Sequence, residues 1–387
     1  MKKKNNFLKI LGFVIILAAV GATGFMVGKM GFSSTPHSLP KSAVIALAIL
    51  FIPAFLLVIG FHEGGHALVG IWMKFDFRMY VIGPFMWEKE QATWKFKWNR
   101  NVNAAGGMVI CMPLDSENLK TRFSWYAAGG PIASLVLAGL AYGGYLLLSA
   151  NILGSEQIIF RVAPYFFLLI AVLSLAICIV TSIPMHMGGF YTDGARLLRL
   201  QRGGDTARFD VLILKIIASA CGGTRPRLLM MDDLLEAQVL AKRLNAPFGV
   251  YLHSFFHQAA FDLGEIEKAE NHLLDYINDA NLVPEGIRNS VWLDAAFFYA
   301  FAKKDIDTAT RYWQQFKPSA IIPKAQIFAT EAAMSVLSND PEVARSKVDA
   351  AMSALPDMID KGIALALKDK LINLSDRLGP VDHGISS

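Results

Sequence analysis

The chain of 387 residues is 54% hydrophobic and 18% charged, with a formal net charge of +5 at pH 7. So much apolar side chain is out of keeping with an ordinary soluble protein, and the modest, dispersed positive charge offers no basic face for nucleic acid. Cys111, Cys178 and Cys221 have no paired spacing, which excludes a disulfide framework and leaves them reduced and structural.

MKKKNNF precedes an apolar run from about Leu8 to Val27. A basic start before apolar residues also opens secretory signal peptides, and LAAVGATG imitates a cleavage site. The run nevertheless reaches the roughly 20 residues that span a bilayer. It is read as an uncleaved first transmembrane helix, and with the polar loop SSTPHSLPKS it makes an N-terminal region of residues 1–42. Further apolar runs extend from about Ala43 to Met73, from Trp125 to Ala150 and from Val162 to Ile183, giving about four spans. Lys2, Lys3 and Lys4 favour a cytoplasmic N-terminus. Four crossings then return the chain to that side before GARLLRLQR, and the cationic connection 74–124 faces it as well.

Within that connection, FDFRMYVIGPF and TWKFKWN alternate large apolar with polar residues around a charged EKEQ turn. The pattern predicts a small β-hairpin or sheet at the inner membrane face, either a cytoplasmic flap or an edge that holds an extended peptide. Residues 201–245 read as linker helices, with FDVLILKIIASAC as a short apolar helix and GGTRPR as a break. Residues 246–387 carry a weak repeat: Ala269, Ala309 and Ala344, 40 and 35 residues apart, each follow an Asp, Gly or Asn turn. This pattern is tetratricopeptide-like, with a generic antiparallel bundle as the alternative; either is soluble, helical and suited to a protein partner. The expected fold class is therefore an α-helical polytopic membrane protein with a small membrane-face β-hairpin, followed by a soluble all-α domain.

The chemistry gathers in VIGFHEGGHALVGIWM, residues 58–73. His62 and His66 lie one helical turn apart on one face. Two neutral imidazoles so placed suit zinc, and Glu63 between them can act as general base toward a water on the metal. Ionisable groups inside an apolar span are costly and rarely lack a use. Gly64 and Gly65 let a neighbouring helix or substrate approach the backbone. A catalytic zinc site needs a third protein ligand. Asp193, in the glycine-rich break SIPMHMGGFYTDGARLLRL, is the candidate. The competing reading is a helix N-cap at Thr192 or Asp193; beside HEGGH, the ligand reading is favoured. His186 in the same break reads as a loop histidine, with a role near the metal as the alternative. His253 and His257 also stand four apart, but with no acid between them they read as ordinary helix residues.

HEGGH in an apolar helix, AAGGPIASL opening a later span and a terminal TDG after a proline resemble the site-2 protease family of intramembrane metalloproteases, over roughly residues 43–200. The resemblance implies zinc held by His62, His66 and Asp193, with Glu63 activating water for peptide-bond hydrolysis within the membrane. It also implies substrate contacts from Gly130, Pro131 and Ser134. Two departures stand out: Ser134 occupies the place where the family often has asparagine, and the segment from Pro184 to Asp193 is longer than is usual there.

The function expected is thus an intramembrane zinc metalloprotease acting on membrane-spanning protein substrates in the lipid bilayer. A bacterial cytoplasmic membrane is the expected location, with the C-terminal domain in the cytoplasm. The alternative is a non-catalytic membrane adaptor with a structural metal and a partner-binding helical domain. A transporter with a metal-binding core is a weaker alternative, since no inverted repeat is visible.

Overall fold

A computed structural model describes residues 41–90, 92–100, 106–149, 158–187, 190–246, 249–282, 285–318 and 322–379. The expected first helix, Leu8 to Val27, lies outside the described residues. Helix α1, Lys41–Trp72, has 32 residues, and at 1.5 Å each it is about 48 Å long, more than the ~30 Å hydrocarbon layer. Helix α2 is Leu119–Ser149 and α3 is Ile158–Ser182. Each is long and apolar enough to cross a membrane.

Their outward faces are apolar. Ile45, Ile49, Ile52, Phe61, Leu68 and Ile71 are exposed on α1, and Ile132, Leu135, Val136, Leu140 and Leu147 on α2. In water these rows would form an unusually large apolar patch, whereas lipid tails match them. Inward, Ala54, Val58, Leu137, Ala141, Leu169 and Leu173 pack together from all three helices. Helices α1 and α2 cross in backbone contact: a β-carbon at Gly65 would lie 2.3 Å from the Gly129 carbonyl oxygen, and one at Gly129 would lie 2.6 Å from that of Gly65. Such close approach is how helices associate where no hydrophobic effect drives them. Gly64, expected to serve likewise, is less confined, since its β-carbon would meet only the Tyr80 hydroxyl at 3.4 Å. The end of α1 is tied to α2 by Arg122, whose Nε and Nη2 donate to the Met73 carbonyl at 2.9 and 2.7 Å.

The connection between α1 and α2 forms a four-stranded sheet in place of a lone hairpin. Its strands are β1 (Asp76–Ile82), β2 (Phe85–Glu90), β3 (Thr93–Trp98) and β4 (Met108–Met112), in the order β3-β2-β1-β4. β1 and β2 are antiparallel, with Ile82 opposite Phe85 across a Gly83-Pro84 turn. β4 is a short, unalternating apolar run, which periodicity alone does not assign to a strand. Met79, Val81 and Met86 are buried on one side of the sheet. Elsewhere Phe85 lies 5.7 Å from Trp98 and Trp87 lies 5.6 Å from Phe96, between ring centres. Trp94, Phe96 and Trp98 are exposed along the edge strand β3. Tyr80 donates to the Gly60 carbonyl and so fastens β1 to α1.

The chain divides into two compact units, the second running from Gly203 onward together with 90–93 and 112–119. The first closes with a two-stranded pair, β5 (His186–Met187) and β6 (Phe190–Tyr191), and with α4 (Asp193–Arg202). The second is helical: α5 (Gly204–Cys221), α6 (Met231–Leu244), α7 (Val250–Leu263), α8 (Ile266–Asn278), α9 (Glu285–Phe298), α10 (Ile306–Trp313), α11 (Lys324–Leu337), α12 (Pro341–Ala354) and α13 (Lys361–Arg377). α5 realises the helix expected for FDVLILKIIASAC.

From α7 to α12 three helix pairs share one local design. A left-handed residue ends the region of the first helix, at Gly264, Lys304 and Asn339 with φ of 78°, 55° and 54°. Asp305 and Asp340 then cap the second helix by accepting from the amides of Thr308 and Val343. Ala269, Ala309 and Ala344 follow, each with no exposed surface, where only a small residue lets the helices close. His257 is 1% exposed and its Nδ1–H donates to the Ala269 carbonyl at 2.8 Å. Burial pushes its pKa down to about 4, in keeping with an ordinary core histidine.

Asp294 on α9 accepts from Gln258 at 3.3 Å, and burial pushes its carboxyl up to about 7. The folded state then keeps a proton that the unfolded chain releases near pH 4, so stability falls as pH rises through that window to 7. Asp294→Asn is expected to slow amide exchange of α9 relative to wild type much more at pH 8 than at pH 5. The gap should be roughly 2–4 kcal/mol at the upper end. Equal protection at both pH values, measured by hydrogen–deuterium exchange on the full chain, would remove this account.

Candidate metal centre

HEGGH lies in the membrane-crossing part of α1, so the spacing expected of the histidines is realised on one helical face. His62 and His66 are 5% and 6% exposed. Both Nε2 atoms lie 3.3 Å from the same Asp193 oxygen, Oδ2. Their candidate ligand atoms fall within 4.8 Å of one another.

Asp193 reaches the histidines because of how α4 begins. Thr192 caps the helix, accepting from the Ala195 amide at 3.3 Å and donating to the Ile183 carbonyl at 2.7 Å. Asp193, the first helical residue, is free of that task. The N-cap and ligand readings are therefore divided between neighbours. Gly194 allows the close approach: a β-carbon there would lie 1.9 Å from the Ser182 carbonyl oxygen at the end of α3. His186 instead pairs with Tyr191 in the β5–β6 register, its ring centre 4.8 Å from that of Tyr191, and is not grouped with Asp193.

Hydrogen bonds orient both imidazoles. His66 Nδ1 lies 2.8 Å from the Tyr126 carbonyl oxygen, which can only accept, so Nδ1 carries a proton and Nε2 of the neutral ring presents a lone pair. His62 Nδ1 lies 2.9 Å from Ser134 Oγ, and the Ser134 carbonyl accepts from Ser174 Oγ at 2.8 Å. Ser134 and Ser174 have no exposed surface. Pro131 lies inside α2 and lacks the amide that would bond the Ala127 carbonyl, loosening the helix one residue from the Tyr126 carbonyl. Gly130 faces the rings: a β-carbon there would lie 2.2 Å from His66 Nε2 and 2.7 Å from His62 Nε2. Any side chain at that position would fill the space in front of both nitrogens. Glu63, between the histidines, packs over Gly107, where a β-carbon would come within 2.6 Å of Glu63 Oε1.

The electrostatics call for a cation. Two imidazole nitrogens and a carboxylate oxygen converge as acceptors, and only a proton or a metal between them relieves the repulsion. Where a proton fills that place, burial alone would raise the Asp193 carboxyl, and hydrogen bonds and charge from the proton-bearing imidazoles outweigh it, holding it well below the usual carboxylate range. Zinc with bonds of 2.0–2.1 Å in a tetrahedron places its ligands about 3.4 Å apart, close to the 3.3 Å found here. The donor set thus fits zinc, with Gly130 keeping the approach open. The contributions of the Tyr126 carbonyl, Ser174 and Gly107 carry little sequence signal; a backbone carbonyl is the same for every residue.

Among the comparisons with known proteins, the model of peptidase family M50 matches residues 50–338, most of the chain. The match extends beyond the apolar core and ends at the close of α11. No curated protein and no solved structure matches. M50 is the site-2 protease family, a membrane-protein family of zinc metalloproteases, and the three apolar helices agree with that setting. On this match and this geometry, the chain belongs to peptidase family M50.

Proposed function

We propose that this protein is an intramembrane zinc endopeptidase that cuts membrane protein substrates in or near their transmembrane segments. The observation that carries the reading is the pair of 3.3 Å approaches of His62 and His66 to one Asp193 oxygen, with Glu63 on the turn between the histidines. His62, His66 and Asp193 would hold zinc, which when bound supplies the positive charge that makes water nucleophilic near neutral pH and polarises the scissile carbonyl. Glu63 takes the proton of the attacking water on its carboxylate and returns it to the leaving amide nitrogen. Ser134 and the Tyr126 carbonyl hold the rings in register. Ser134 was expected to touch substrate; its burial and its bond to His62 support a positioning role instead.

A transmembrane peptide bond must leave its helix before it can be cut, and an extended strand needs main-chain partners. β4 is an edge strand and starts directly after Gly107, the residue beneath Glu63, so an unwound substrate is proposed to pair there. Gly130 and Pro131 border the space in front of the metal ligands. Residues 74–124 and the helical C-terminal region are assigned to the cytoplasm of a bacterial cell, from their lysines and arginines. The helix pairs from α7 onward are read as a soluble tetratricopeptide-like array that takes a protein partner.

The three helix pairs, each with a left-handed residue and a buried alanine about its turn, favour a recruiting role for that array, which is also what the adaptor reading requires. The two readings part at Glu63, which a structural metal has no need of. Glu63→Gln should retain zinc and lose cleavage by at least 10³-fold, comparable with or beyond the usual contribution of a general base. Membrane proteomes of cells making it should accumulate single-span fragments. If fragment patterns match the wild type while both forms are expressed and metal-loaded, the adaptor reading takes over.

Ser134→Ala should cost 10–100-fold in zinc retention, as loss of a ligand's orienting partner does elsewhere. Ser134→Thr, which keeps the hydroxyl, should recover most of it. Loss of cleavage with zinc retention unchanged would point back to substrate contact. Gly130→Val should abolish zinc retention by occupying the space before both Nε2 atoms, read as metal content of the purified protein.

A further inference from the structure

The second unit contains a different cluster of metal-ligating side chains. His253 stands on α7, and His272 and Asp275, three residues apart and hence on one face, stand on α8. Their candidate ligand atoms all lie within 4.8 Å of one another. His253 Nδ1 is 3.8 Å from Asp275 Oδ2, and His253 Nε2 is 4.0 Å from Asp279 Oδ2. Among the described residues, the buried Nδ1 atoms of His253 and His272 have no hydrogen-bond partner. Two such orphans close together are unusual in a protein interior, where buried polar atoms are nearly always paired.

We propose that His253, His272 and Asp275 form a second site for a divalent transition metal of the zinc class, which staples α7 to α8. One cation would satisfy both orphan nitrogens at once. Two imidazoles with a carboxylate suit zinc, cobalt, nickel or copper, and poorly suit magnesium or calcium, which take oxygen ligands. The His272 ring stacks on Phe256 at 5.1 Å and 20°, which fixes its plane. The 3.8 Å between His253 and Asp275 exceeds the roughly 3.4 Å between ligands of zinc. Asp275, with 59% of its side chain exposed, is the arm that can swing in to close it. That exposure also leaves one coordination position facing solvent, so metal at this site should exchange more readily than at the membrane site. Asp279, 4.0 Å from Nε2 of His253, leaves that nitrogen facing a carboxylate and Nδ1 as the ligand atom. His257, the neighbour four residues from His253, is 1% exposed and turns its ring into the core against Phe298, so it lies outside this group. The site therefore joins two helices, which no spacing within one helix would reveal.

The test uses the full chain in detergent, stripped with a chelator and dialysed against zinc, with bound metal counted by elemental analysis. Wild type should hold two equivalents and the His62→Ala/His66→Ala variant one. Adding His272→Ala should remove the last. Asp275→Asn, at an exposed position that leaves the helices intact, should weaken zinc binding at the second site at least tenfold in the same background. Zinc should also slow amide exchange in α7 and α8 of the His62→Ala/His66→Ala variant. A count of zero in that variant, or one that His272→Ala and Asp275→Asn leave unchanged, overturns the proposal. A single equivalent in wild type that survives His62→Ala/His66→Ala would uphold this site and count against zinc at HEGGH, so the two readings fail separately.

Discussion

The convergence of two imidazole lone pairs and one carboxylate on a single point, beneath an apolar exterior, is the constraint from which the first unit follows. Left without a cation these groups repel one another and lose hydration that lipid cannot replace. The surrounding structure makes the convergence reproducible. α1 sets the histidines one turn apart, α2 lends a carbonyl and a hydroxyl to fix their rings, and α4 starts where its first side chain meets them. Each part satisfies a local requirement as well. The Tyr126 carbonyl accepts from His66 beside the stretch that Pro131 has loosened, and Thr192 caps α4 so that Asp193 need not.

What could be read from the sequence divides along physical lines. The three described spans and HEGGH were legible because hydropathy and i,i+4 spacing are properties of a contiguous segment. Asp193 was reached through its TDG surroundings, although the lengthened stretch from Pro184 hid its register. The sheet was visible as far as its alternating strands, and β4 was not, because MVICM has no alternation. The task of Ser134 escaped notice because its partner is 72 residues away. The His253–His272–Asp275 cluster was likewise hidden: within α7 the eye falls on His253 and His257, while the fold pairs His253 with α8 and turns His257 into the core.

The two units use similar donor chemistry under different conditions. In the first, the ligands are shielded and their rings are tied to neighbouring helices. In the second, the α7–α8 pair closes on Ala269 after the left-handed Gly264, and one potential ligand reaches into solvent. Burial lowers His257 and raises Asp294 in this second unit, so its stability has a dependence on pH that does not involve HEGGH.

The contact of Gly65 with Gly129 bears on how such a protein can move. With no side chains between them, the two backbones mesh at a single point, and sliding either by one turn, about 5.4 Å, would drive a larger residue into the other's carbonyls. α1 and α2 therefore behave as one rigid frame carrying both histidines and both of the groups that orient them. Any movement of the sheet, which Tyr80 ties to α1 and Tyr126 of α2 holds at β4, or of the short segment that delivers Asp193, would be movement against that frame. The two rings, both carried by α1, keep a constant separation whatever those parts do.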